Sequence, residues 1–242
     1  MITAVKSVPR WVYHVRRIVA VLIVVLLVRA LLNDDTPPPE PQAVPEETTS
    51  ASSATTVRRQ AAAQIASGRP VEMVVPVLGM RAGFEEADCR VVDGAIDPQS
   101  MDKACALTGE GYPYALPGTD AKDLVVIAGH TGAGVSGVFD KLYDGTAERH
   151  TVAEGDYLYV RTETSGEDWL VYRATDLHDP DKKALASDPA IWGNGPMPGR
   201  LLTISCIQPA NLLADSVRNA VVGWQLEGTA TSEDVETVFQ PR

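Results

Sequence analysis

From Val71 onward the chain repeats one pattern. Short runs rich in Val, Ile, Leu and Tyr alternate with Gly, Pro, Asp and Ser. The runs are VEMVVPVLGM, CRVVDGAI, DLVVIAGH, DYLYVRTE, DWLVYRATD, LLTISC and RNAVVGWQL. Each has the length of a strand, and the spacing fits an all-β barrel or sandwich rather than βαβ units. Asp93-Gly94 predicts a tight turn between two short strands. Thr164-Ser165-Gly166 predicts a hairpin joining DYLYVRTE to DWLVYRATD. Short helical pieces are expected around Gly137 to Tyr143 and over Ala184 to Ile191. No internal repeat is visible, and the polar stretch Thr229 to Arg242 reads as a frayed tail.

The N-terminal part has a different texture. Ile18 to Val28 is an unbroken apolar run, interrupted by Arg29 and continued by Ala30-Leu31-Leu32. With Trp11 to Val15 it approaches the length of a membrane span. Arg29 lies where its stem can snorkel to the far interface, and Trp11 and Tyr13 suit the near one. A cleaved signal peptide is the competing reading, but LLNDDTPPP offers no small-residue cleavage site. Basic residues before the run and Asp34-Asp35 after it put the N-terminus inside and the bulk of the chain outside. Residues 33 to 54 are rich in Pro, Glu, Ser and Thr and predict an extended linker, whose 22 residues span roughly 26 Å as a flexible coil. Thr55 to Ala66 has helix formers behind a Thr cap and reads either as a short helix or as more stalk. The expected organisation is a cytoplasmic segment 1–17, a transmembrane anchor 18–32, a linker 33–69, a β-domain 70–228 and a tail 229–242. The predicted location is the cell membrane, single-pass, with the β-domain extracytoplasmic.

Charge sharpens this division. Residues 1 to 32 hold five basic residues and no acidic one, and the remainder holds 16 basic and 32 acidic residues, a net of −16. Phosphate binding needs a basic footprint, so nucleic acid is not an expected partner. Three cysteines are present. None forms a Cys-x-x-Cys pair and the histidines lack metal-type spacing, which argues against zinc. Cys89 and Cys105 flank the DGAIDPQS region. In an oxidising compartment they either form a bridge, worth about 3 kcal/mol for a loop of this size, or remain two thiols.

Cys206 differs from the other two. It closes LLTISC, where Leu202, Ile204 and Cys206 share one face, and a loop follows it. A free cysteine at such a place is often a small buried hydrophobe. A reactive one needs an imidazole partner, because the thiolate is the nucleophile. His130 ends the buried-type run LVVIA and is bracketed by Gly129 and Gly132, which allow a tight turn. His14 is membrane-proximal, and His150 and His178 sit in polar stretches. Arg218 opens the run after the cysteine's loop and shares a face with Ala220, Val222 and Trp224. From a paired strand its guanidinium would be placed to steady an oxyanion.

Together, the stretches VVDGAIDPQSM, LVVIAGHTGAGVSGVFDKL and LLTISC, followed by Arg218, resemble the sortases, the cysteine transpeptidases of Gram-positive surfaces. The likeness runs from about Pro70 to Gly228, and the histidine block is similar to class E and F sortases of actinobacterial type. The cysteine block departs from the family's TLxTC, with Leu202, Thr203 and Ser205 where Thr, Leu and Thr are preferred. The resemblance implies a closed β-barrel of about eight strands with short helices and no cofactor. It implies Cys206 as nucleophile on an LPxTG- or LAxTG-like sorting signal, His130 as acid and base, and Arg218 on the oxyanion. The implied partners are surface proteins carrying a C-terminal sorting signal and an amine acceptor from a cell-wall precursor or a pilin. Two rival readings remain. One is an L,D-transpeptidase, which expects Gly before its cysteine where this chain has Ser205. The other is a non-catalytic tethered β-module with a structural Cys206.

Overall fold

The computed structural model describes residues 63–109, 111–211 and 214–239. The chain divides into two units, Met1–Ala54 and Thr55–Arg242, and every described residue belongs to the second. The expected cytoplasmic segment, the anchor 18–32 and the linker up to residue 62 lie outside the described residues. Among the described residues no helix is long and apolar enough to cross a membrane. The helix expected over Thr55 to Ala66 falls mostly outside them, and 63–66 is not helical. That stretch is packed rather than stalk-like: Ile65 is buried in the core and its amide donates to Thr119 Oγ1 at 3.0 Å.

Twelve strands follow: β1 Pro70–Val75, β2 Met80–Phe84, β3 Arg90–Val92, β4 Ala95–Asp97, β5 Lys103–Ala106, β6 Val125–Ala128, β7 Tyr143–Asp144, β8 Arg149–His150, β9 Tyr157–Thr162, β10 Asp168–His178, β11 Arg200–Cys206 and β12 Asn219–Thr231. Eight close into a barrel in the order β1-β2-β5-β6-β11-β12-β10-β9, with β9 returning to β1. The pairs β2–β5 and β6–β11 are parallel and the other barrel pairs antiparallel. β3–β4 and β7–β8 are separate two-stranded ribbons. The turn between β3 and β4 places Asp93 at φ 50° and Gly94 at φ 78°, the left-handed pair that a two-residue hairpin turn requires.

Two apolar layers explain the strand patterns. The barrel interior holds Met73, Ile127, Leu158, Leu170, Tyr172, Leu201, Val222 and Trp224. An outer layer holds Cys105, Val126, Ala128, Leu202, Ile204 and Val221 beneath helices α1 (Lys182–Leu185) and α2 (Pro189–Trp192), whose Ile191 is fully buried there. β6 and the middle of β11 are covered on both faces, which is why β6 reads as a continuous apolar run and β11 as one broken only by hydroxyl residues. Burying Ile191 contributes about 1.5–3 kcal/mol toward keeping the β10–β11 connection on the barrel wall.

The C-terminal stretch corrects the expectation of a frayed tail from residue 229. β12 continues to Thr231 and helix α3 (Ser232–Phe239) follows. Thr231 Oγ1 accepts from the Asp234 amide at 3.2 Å and the Asp234 carboxylate accepts from the Thr231 amide at 3.2 Å, a reciprocal cap. Val235 is buried against Val74 and Trp169, so the helix packs on the outer wall of the barrel.

Candidate active site

β6 and β11 run parallel, in a register that pairs Ala128 with Ile204. One ladder bond extends the pairing, from the Gly129 amide to the Ile204 carbonyl at 3.2 Å. Carried two residues further, that register puts His130, just past the end of β6, level with Cys206 at the end of β11. Both continue the outward-facing row that holds Ala128 and Ile204. Neighbouring strands lie about 4.8 Å apart, so the two residues leave the barrel wall from adjacent strand ends. Both residues are half-buried, and Cys206 is the free cysteine.

The turn after His130 is built by close contacts that the sequence shows only as glycines. A Cβ on Gly129 would lie 2.6 Å from Val138 Cγ1 and 2.8 Å from the Phe139 ring, and one on Gly132 would sit on the Val135 carbonyl. Phe139 is fully buried, and its amide donates to the His130 carbonyl at 2.9 Å. The Asp140 carboxylate accepts from the Gly132 amide at 2.7 Å and the Gly137 amide at 2.8 Å, which ties the loop shut. The helical piece expected near Gly137 to Tyr143 is a single 3-10 turn, Asp140–Leu142.

Thr131 joins the two halves of the site. Its hydroxyl donates to the Cys206 carbonyl at 2.9 Å, and Gln208 Nε2 donates to the Thr131 hydroxyl and carbonyl, each at 3.2 Å. His130 Nε2 donates to the Pro98 carbonyl at 2.7 Å. A carbonyl only accepts, so the neutral ring carries its proton on Nε2 and leaves Nδ1 to take or give one. Thr131, Gln208, Pro98 and Asp140 were not singled out from the sequence. Thr131, beside the histidine, and Asp140, in the GVFDKL stretch, were the accessible signals.

Cys89 and Cys105 form a disulfide with a Cα–Cα distance of 5.0 Å. Cys105 pairs with Ala128, so the bridge lies on the outer face two residues below His130.

Arg218 is placed differently from the sequence expectation. Its strand is paired beside that of Cys206, with the Ile207 amide donating to the Arg218 carbonyl at 3.0 Å and Cys206 opposite Asn219. It does share a face with Ala220, Val222 and Trp224. That face is the barrel interior, where Ile207 and Ala220 pack with Tyr143. The pleat therefore turns Cys206 outward and Arg218 toward the barrel mouth. There Arg218 Nη1 donates to Asp179 Oδ2 at 2.8 Å, and Nη2 lies 3.7 Å from Glu148. Arg218 and Glu148 border a pocket of about 320 Å³ that Ile207 and Asp215 also line.

The other described histidines are occupied elsewhere. His150 stacks edge-on against Tyr143 and donates from Nε2 to the His178 carbonyl at 3.1 Å, and burial pushes its imidazole down, toward the neutral form. His178 pairs with Asp176 at 2.7 Å. Among the described residues no group of three or more His, Cys, Asp or Glu side chains is placed to hold a metal ion.

No protein-family model matches this sequence, and no curated relative matches it. Among solved structures, sortase A of Listeria monocytogenes is 16% identical with a TM-score of 0.47, over 73% of this chain and 99% of that one. Sortase E1 of Streptomyces coelicolor, solved with a tripeptide in its active site, is 17% identical with a TM-score of 0.46, over 71% and 96%. Sortase A of Corynebacterium diphtheriae is 20% identical with a TM-score of 0.45, over 66% and 61%. Similarity at this level leaves activity to be argued from the residues.

Proposed function

We propose that this chain is a cysteine transpeptidase of the sortase type, with Cys206 as acyl carrier and His130 as acid and base. The observation that carries this reading is the level, same-face emergence of His130 and Cys206 from two paired parallel strands, tied by Thr131. A thiol and an imidazole so held, at strand ends and half-exposed, are the parts that acyl transfer needs.

The thiolate of Cys206 attacks the carbonyl carbon of the scissile peptide bond and forms an S–C bond. His130, protonated on both nitrogens, gives the Nδ1 proton to the leaving amine as the C–N bond breaks, which leaves a Cys206 thioester. A second amine attacks that thioester, His130 Nδ1 takes its proton, and the C–S bond breaks to restore the thiolate. Water replaces the amine in slow hydrolysis.

Arg218 enters this scheme by exchange. Its guanidinium leaves Asp179, turns round the first residues of β12 and takes the substrate carbonyl oxygen as a new partner. Removing one such donor from an oxyanion site typically lowers the rate about 10²–10³-fold.

The substrate is an LPxTG- or LAxTG-like sorting signal on a surface protein, and the acceptor is an amine of a cell-wall precursor or pilin. Residues 18–32 anchor the chain in the membrane and residues beyond them are extracytoplasmic, where the Cys89–Cys105 bridge is stable. The test is intact mass of the full-length chain after incubation with a pool of LPxTG-type peptides. An adduct on Cys206 that disappears on adding an amine is the expected result. No adduct, together with a Cys206 inert to alkylation in the native fold, would replace this reading with a structural cysteine in a non-catalytic module.

A further inference from the structure

His130 is held from two directions. One is its own loop, already described. The other is the segment between Cys89 and Cys105, which wraps the outer face and delivers the Pro98 carbonyl to His130 Nε2 at 2.7 Å. Pro98 is buried, so this contact is shielded from competing water.

The segment that carries Pro98 is braced along its whole length. At its start, the Cys89 amide donates to the Ala106 carbonyl at 2.8 Å, next to the disulfide itself. The β3–β4 ribbon is closed by the Arg90 guanidinium on the Asp97 carboxylate, immediately before Pro98. Just after Pro98, the Ser100 amide donates to Glu85 Oε1 at 2.7 Å. The Val138 amide then donates to the Met101 carbonyl at 2.8 Å, which links the segment to the histidine loop. Glu85 Oε2 is buried with no partner among the described residues, so this carboxylate is set into the wall rather than displayed to solvent.

We infer that the disulfide-braced segment is the positioning device of His130: through the Pro98 carbonyl it fixes the ring tautomer and confines proton exchange to Nδ1. This rests on the reading of His130 as acid and base. A backbone carbonyl cannot titrate and cannot leave its chain. Its position is therefore only as good as the bracing, and the bridge is the covalent part of that bracing. With the bridge gone, the segment is held by hydrogen bonds and one ion pair at a partly exposed ribbon, and the ring is free to turn or to shift its proton. Misplacing a reacting group by about 1 Å lowers rates by as much as about 10²-fold. The expected signature is a fall in kcat of tenfold or more, with KM little changed, because Pro98 is buried and its carbonyl acts on the histidine.

The test uses the full-length chain labelled with ¹⁵N-histidine, which reports four rings. The long-range proton–nitrogen correlation of His130, recorded where the ring is neutral, reads its tautomer. The wild type should show a single Nε2–H form. In Cys89→Ser/Cys105→Ser, Cys206 is still the only thiol, so its alkylation rate against pH is read cleanly beside peptide turnover. A folded double variant with mixed tautomers, a displaced alkylation profile and a tenfold lower kcat supports the inference. A folded double variant that keeps the Nε2–H form and turns over within twofold of wild type overturns it, as does an Nδ1–H form in the wild type. If the double variant does not fold, Glu85→Ala, which frees the Ser100 side of the segment, decides by the same two readings. A bridge-dependent tautomer without any peptide adduct supports the positioning and overturns the transpeptidase reading alone.

Discussion

Replacing Thr131 with valine removes one oxygen and keeps the shape of the side chain. That oxygen donates to the Cys206 carbonyl at 2.9 Å and accepts from Gln208 at 3.2 Å, just beyond the last ladder bond between the two strands. A hydrogen bond of this kind nets about 1 kcal/mol, and at a partly exposed site the two together contribute roughly that much. For a domain of this size the loss lowers Tm by about 2–4 °C. The effect on rate is larger than the effect on stability, because the strand ends that carry imidazole and thiol are then free to part. A loss of about 1.4 kcal/mol in transition-state positioning is tenfold in kcat. The assay is turnover of a fluorogenic sorting-signal peptide, with the rate of Cys206 alkylation at fixed pH as a substrate-free second reading. Thr131→Ser keeps the hydroxyl and should keep most of the rate. A Thr131→Val enzyme that loses the expected few degrees of Tm but turns over within twofold of wild type would show that the hydroxyl braces the fold and not the chemistry.

Cys206→Ala and His130→Ala should each abolish the amine-sensitive acyl adduct while leaving the circular dichroism spectrum unchanged; an adduct in either removes that residue from the scheme. Arg218→Ala should lower kcat/KM by about 10² or more, whereas Asp179→Ala, which deletes the carboxylate 2.8 Å from its guanidinium, should leave activity equal or raised. Equal losses in both would mark the pair as a structural unit of the barrel mouth. Thr203→Val leaves the fully buried Trp224 indole without the hydroxyl that accepts its proton at 3.0 Å, and chemical denaturation should show a loss of about 1–3 kcal/mol. Burial pushes the Asp176 carboxyl up, but hydrogen bonds from Arg200, Thr175 and His178 outweigh it and hold the group well below the usual carboxylate range. A depressed carboxyl contributes stability that is full above its unfolded value, near 4, and is lost as pH falls through the folded one. Asp176→Asn should therefore lower Tm at pH 7, with the gap to wild type closing on acidification below about pH 4; a constant gap would mean the carboxyl does not titrate with folding.

The strands that carry the site were legible because each is buried on both faces and reads as a mostly apolar run, unbroken in Val125–Ala128 and interrupted only by Thr203 in Leu201–Ile204. The Asp93-Gly94 turn was legible because only left-handed residues close a two-residue hairpin. Lys103–Ala106 was not, since a lysine, two alanines and a cysteine carry no period long enough to read. Helix α3 was missed for a different reason: its face toward the barrel is little more than Val235 and Phe239, although Thr231 and Asp234 spell the cap. Alternation in the sequence gives Cys206 the face of Leu202 and Ile204, and Arg218 the face of Ala220, Val222 and Trp224. That the two faces are opposite depends on the register of β11 against β12, which a loop of uncounted slack conceals. Pro98 was hidden most completely, because its contribution is a carbonyl, and every residue has one.

Every strand of the eight-stranded sheet has a neighbour on each side. A vacant edge would present unpaired amides and carbonyls to any extended chain, and extended chains are captured by such edges through backbone bonds with little regard to sequence. If the chain acts on C-terminal tails as proposed, such an edge would collect them, signal or no signal. Closure removes that adhesive border from the barrel. On the proposed function, discrimination among tails then falls to side chains around the half-exposed His130 and Cys206, since the barrel offers no backbone edge to hold a tail that lacks the right ones.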